Sequence, residues 1–270
     1  MQYVDRHYNK LIRRVMGDYD KNVSVAEKNK NVDKFGFMTD LGTSLRVISD
    51  MGFDETYLPR ADNLITDLGS TEAADVGVSV LVEGHYTDAN GDLQFSIQTL
   101  VLNGLTVVAL DPALSRCSRL RALAPVAGDI WASQSTARTG GVPTDDTKAH
   151  NVIRGELGRN QSNKAATAFG YRDWGFVHGM LASIAKKTAA VVDFQLLIGD
   201  ASPGGAMYPA FSEFTLSSAG QSTFYIPLHS TIIPANSDVY VQAVASTSNV
   251  QVEATFFTDI AIDRALINGR

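Results

Sequence analysis

The sequence predicts a mostly-β protein, an antiparallel, jelly-roll-like β-sandwich preceded by an N-terminal helical or extended arm. Three observations predict it. Many short segments alternate apolar and polar residues with period two, turn-forming residues separate them, and one stretch at the start breaks the pattern.

That stretch comes first. Val4, Tyr8, Leu11, Ile12 and Val15 recur at helical spacing ahead of Gly17, which predicts a short amphipathic helix whose apolar stripe must dock on a partner. Asp18 to Lys34 is rich in Asp, Asn and Lys and reads as a linker or extended arm, so residues 1–34 form one unit. A disordered terminus is the alternative.

From Phe35 the period is two. Val76, Val78, Val80 and Val82 alternate with Gly77, Ser79, Leu81 and Glu83 and predict a strand. Asp88-Ala89-Asn90-Gly91-Asp92 then supplies a turn, and Leu93, Phe95 and Ile97 the returning strand. Asn103-Gly104, between Leu100–Leu102 and Leu105–Leu110, predicts a second hairpin with a type I′ turn, ended by Asp111-Pro112. Further strands are expected at 119–126, 175–184, 189–198, 211–216, 223–227, 238–245 and 250–257. Residues 132–149, dominated by Ser, Thr, Gly and Asp, read as a long surface loop. One sandwich over 35–270 is favoured, with two halves, 35–131 and 150–270, left open.

Composition limits the function. The formal charge of −6 argues against nucleic acid as a partner, because phosphate binding needs clustered Lys and Arg. No apolar run approaches the roughly 18 residues of a membrane span. Arg6, Lys10, Arg13 and Arg14 interrupt the first residues, so no secretion signal is read and a soluble, cytoplasmically made protein is expected. Cys117, the single cysteine, reads as a small buried hydrophobe.

Chemistry-bearing motifs are missing, and no cofactor or metal is expected. The histidines at 7, 85, 150, 178 and 229 share no ligand spacing. Residues 88–92 resemble part of a calcium loop, but the glycine is fourth rather than sixth and the position that should hold an acid is Thr99; a hairpin turn is the simpler reading. Nucleotide-binding and acyl-transfer motifs are absent. Asp145 and Asp146, adjacent in the polar loop, lack the separated, rigidly held geometry of a glycosidase pair. Phe169, Tyr171, Trp174 and Phe176 read as core aromatics, with a glycan platform as the alternative.

The order of turns over residues 35–259 resembles a family of tailed-phage virion structural proteins. The resemblance is carried by Glu83-Gly84, Leu102-Asn103-Gly104, Arg116 to Arg121, Gly128-Asp129-Ile130, Ile153-Arg154-Gly155, Asn160-Gln161-Ser162 and Ala166 to Phe169. The chain departs from the family at His85-Tyr86, where Leu-Asp is usual, and at Gly170 to Asp173. The resemblance implies a non-catalytic β-sandwich in the virion, in neck, tail or fibre apparatus, or decorating the capsid. It also implies self-association, with a trimer as the expected state, alongside other virion proteins. A carbohydrate- or receptor-binding module, with host glycan as partner, is the expectation from another class.

Overall fold

The computed structural model describes residues 30–51, 63–171, 173–185, 190–200, 207–219 and 223–262. The described residues are antiparallel sheet joined by turns and short 3-10 segments. The residues carrying the predicted helical stripe, Val4, Tyr8, Leu11, Ile12 and Val15, lie outside them.

Eight strands form the first sandwich: β1 (Lys30–Leu41), β12 (Ala166–Ala168), β13 (Asp173–Ile184), β14 (Val191–Asp200), β15 (Met207–Ser217), β16 (Thr223–Ile233), β17 (Ser237–Ala245) and β18 (Val250–Ile262). Counted within this set, the first pairs with the last, the second with the seventh, the third with the sixth and the fourth with the fifth, always antiparallel. Rolled up, these nested pairs give sheets of order β1-β18-β13-β16 and β12-β17-β14-β15. This is jelly-roll order. The alternation seen in the sequence fills its centre: Met38, Val177, Met180, Val252 and Phe256 from one sheet meet Val192, Phe194, Val239 and Val241 from the other.

The second strand of the roll is interrupted. Strand β2 (Arg46–Val47) pairs with Ala243 and Gln242 of β17, and β12 resumes on the same edge opposite Tyr240. At the position between them, opposite Val241, Ile48 donates its N–H to the Val241 carbonyl (3.0 Å) and Ala165 accepts from the Val241 N–H (2.9 Å). Two residues far apart in sequence thus fill the place of one. Ala165 N–H to Ile48 carbonyl (2.9 Å) and Asp50 N–H to Asn163 carbonyl (3.1 Å) close the neck of the insertion. Gly36 passes so close that a Cβ there would lie 2.5 Å from both Ala165 N and the Ile48 carbonyl oxygen, which explains a glycine inside β1.

The insertion is a second sandwich. One sheet has the order β11-β8-β3-β6, from β3 (Ile65–Ser70), β6 (Val108–Leu114), β8 (Ile130–Ser133) and β11 (Ala149–Ile153). The other has the order β5-β4-β7, from β4 (Ser79–Thr87), β5 (Leu93–Val101) and β7 (Arg116–Ala122). Ile65, Leu68, Leu114 and Ile130 face Val80, Val82 and Leu120 in its own core.

Several sequence expectations are corrected. Two sandwiches replace the one favoured, and the division is not at 132–149: the first sandwich takes strands from both ends of the chain, and the second lies between them. Strand β1 begins at Lys30, so residues 30–34 join the sheet rather than the arm. Val76 and Val78 precede β4, because Gly77 turns the chain at φ 85°. Asn103-Gly104 does make a tight turn, but it crosses between sheets, since β5 pairs with β4 and β6 with β3. Asp111-Pro112, a cis peptide, sits within β6 at an irregularity on an edge strand, where the missing proline donor costs no ladder bond. The polar loop contains a small hairpin, β9 (Arg138–Thr139) with β10 (Val142–Pro143), and Arg138 ties it down by donating to Gly141 carbonyl (2.7 Å) and Ser133 Oγ (2.7 Å).

Candidate functional site

The densest chemistry lies in the seam where the inserted sandwich meets the roll. Strand alternation places one inward charge at each of several strand starts there, and burial then forces each charge to find a partner. Arg116, heading β7, donates from Nε and Nη2 to both carboxylate oxygens of Asp238, heading β17 (2.9–3.2 Å), and Nη1 donates to the Ser115 carbonyl (2.8 Å). Asp238 is 1 % exposed. This planar two-point pairing is one that arginine provides and lysine cannot.

Buried cations flank the pair. Lys34 donates to the Ser118 carbonyl (3.2 Å) and Lys164 to the His150 carbonyl (3.0 Å), so Lys34 ties the roll, and Lys164 the neck, to a backbone oxygen of the inserted sandwich. Burial lowers the Lys34 ammonium to about 8, against the opposing pull of Glu83. Arg154 donates to the carbonyls of Asp50 (2.9 Å) and Met51 (2.8 Å), pairs with Asp129 (2.6 Å) and lies over the Trp131 ring. Arg159 pairs with Asp50 and covers Phe37 at 4.6 Å from the ring centre. Burial raises the Asp50 carboxyl, which both arginines oppose.

Two histidines are sealed into the same region. His85 meets the Phe95 ring edge-on at 5.3 Å, and its pKa falls to about 3 through burial and the fields of Lys34 and Arg116. His150 falls to about 3 through burial, Lys164 and Arg116. Its Nε2 lies 3.0 Å from Gln134 Nε2, which can only donate, so the ring proton sits on Nδ1. Both imidazoles are neutral at physiological pH.

Asn236 adds a polar hinge-pin. Held at φ 58° in the β16–β17 turn, it accepts from Leu93 N–H (3.1 Å) and donates to Asp92 Oδ1 (3.2 Å), while Tyr171 N–H reaches the Leu93 carbonyl (2.9 Å). The predicted turn at 88–92 is therefore a structural joint. Its Asp88 accepts from Asn90 and Asp92 N–H, as a hairpin turn requires.

Other sequence candidates have structural surroundings. Asp145 caps a 3-10 turn by accepting from Thr147 N–H and Oγ1, which holds its carboxyl below the usual range. Phe169 is fully buried and Tyr171 half-buried; the side chains of Trp174 and Phe176 lie outside the described residues. Cys117 is buried, as expected, and its sulfur accepts from Asn151 Nδ2 at 3.7 Å. Among the described residues no cluster of His, Cys, Asp or Glu could hold a metal, and no helix is long and apolar enough to cross a membrane. Sequence reasoning missed Lys34, Arg116, Asp238, Lys164 and Asn236. For Arg116 and Asp238 the available signal was charge at a strand start, next to residues that must face inward; Lys34 within β1, Lys164 in the neck and the turn residue Asn236 carried no such mark.

The fold and its seam define the class: a β-sandwich protein of jelly-roll order whose second strand carries another sandwich. No protein-family profile matches the chain, and no curated protein matches it. Among solved structures it is similar to the infectious bursal disease virus VP2 subviral particle, at 10% identity over 94% of this chain and 77% of that one, with a TM-score of 0.26. Structures of the Gt and Gx strains of the same virus match at 8% and 6% identity, over 93% and 88% of this chain and 82% and 71% of theirs, with TM-scores of 0.21 and 0.18. With overlaps this low, the class rests on the strand order itself.

Proposed function

We propose that this chain is a non-catalytic structural subunit of a virus particle, assembling with copies of itself in the virion. The observation that carries the reading is the jelly-roll order, an architecture recurring in capsid and lectin domains, combined with a second sandwich locked to it by a buried ionic seam. Two sandwiches joined by that seam, each with edge strands among the described residues, suit a building unit. The order of family-like turns supports a tailed-phage particle, in neck, tail or fibre apparatus, with capsid decoration as the alternative placement. Mass spectrometry of purified particles, followed by location of the chain in particle density, tests this. Recovery at fixed stoichiometry is expected; absence from washed particles would overturn the reading.

A further inference from the structure

The outward face of the β1-β18-β13-β16 sheet carries a row of three exposed large side chains with a threonine among them. Phe35, Thr255, Leu181 and Tyr225 are direct cross-strand neighbours, one on each strand, so the row crosses the entire sheet. Phe35 is 40 % exposed, Leu181 37 % and Tyr225 50 %. The Tyr225 ring lies across Gly179, where a Cβ would meet Cε2 at 2.7 Å, and stands 6.2 Å from the Phe257 ring. Burying such rings is favourable, and neighbouring apolar groups on one sheet face act together.

A segment of this chain has matching chemistry. At helical spacing, Val4, Tyr8, Leu11, Ile12 and Val15 fall on one side and Arg6, Lys10 and Arg13 on the other. A helix of about 10 Å diameter can lie along the face, whose four strands span about 14 Å. Residues 16–29 separate the stripe from β1 and reach up to about 46 Å when extended. They precede Lys30, which pairs with Ile260 toward the far end of β18, and that length is enough to cross to a neighbouring copy.

We propose that the row Phe35–Leu181–Tyr225 docks the N-terminal segment, residues 4–15, of a neighbouring copy of this chain. The inference rests on the self-assembly reading above and names its surface.

Cysteine cross-linking of the full chain tests it, because Cys117 is buried. The double variant Ile12→Cys/Leu181→Cys, oxidised at neutral pH, is expected to give disulfide-linked dimers and larger species. Pairing Leu181→Cys with Arg6→Cys, or Ile12→Cys with Val191→Cys on the other sheet, should give roughly tenfold less, following the loss of local concentration. Circular dichroism of each variant checks folding, and Leu11→Asp added to the first pair should abolish the product. A linkage within one chain, identified by tryptic mapping of monomer, would overturn the proposal, as would equal yields from all pairs. Sedimentation of the unmodified chain separates the two ideas: oligomers without the cross-link sink only the docking, whereas a monomer at all concentrations sinks the assembly reading too.

Discussion

His85 and His150 stay neutral because burial penalises their charged form and the charges acting on them, Lys34, Arg116 and Lys164, are all positive. Their folded pKa values of about 3 lie below the unfolded 6.5, so their contribution is complete above pH 6.5 and is lost as pH falls toward 3. At pH 5 each is expected to cost about 2 kcal/mol. Urea midpoints measured between pH 7.5 and 5 should therefore fall, and His85→Phe should flatten the slope. Lys34 acts in the same direction on the alkaline side: with a folded value of about 8 against 10.5, the unfolded chain binds more protons between those limits. Stability should rise from pH 8 to 10, and Lys34→Met should remove that rise.

At the scale of elements, the seam is held by charged and polar groups at strand starts, in turns and within β1. The Arg116–Asp238 pair joins β7 to β17 with both partners buried, and Asn236 joins the β4–β5 turn to the turn before β17. A buried pair adds little net stability over apolar residues of the same volume, yet removing one partner strands the other charge. Asp238→Ala is expected to cost about 3–5 kcal/mol, and Arg116→Met/Asp238→Leu much less than that. Calorimetry of the single variant should split the transition as the sandwiches uncouple; a single unchanged peak would show that the pair does not join them. The elements themselves were largely legible. Alternation and turn residues placed β13, β14, β17 and β18 within a few residues, because each has one face on a core. They failed where backbone context overrides pattern, at Gly77 ahead of β4, at Pro112 inside an edge strand, and in 132–149, where one arginine anchors a hairpin of polar residues.

For the whole molecule, the split second strand makes the sharpest test. Ile48 and Ala165 share the hydrogen-bonding position opposite Val241, so joining Ile48 directly to Ala166 would rebuild an unbroken strand in register with β17. The shortened chain is expected to fold as a jelly roll with one cooperative transition by circular dichroism; an unfolded product would show that the roll depends on the insertion. The seam residues Lys34 and Asp238 would then meet water, which relieves their burial and lifts the Lys34 pKa toward its ordinary range.

The sequence by itself determined the local facts: β class, the 88–92 hairpin, a buried lone cysteine and a start that departs from strand periodicity. Each depends on neighbours a few residues away. Tertiary structure alone decided that two sandwiches form, that one is inserted into a strand of the other, and that Arg116 meets Asp238. Those contacts join residues more than a hundred positions apart, and period-two patterning is the same for every sheet a strand could enter. Burial of charge adds a long-range requirement of its own, since each partner must be present when the seam closes.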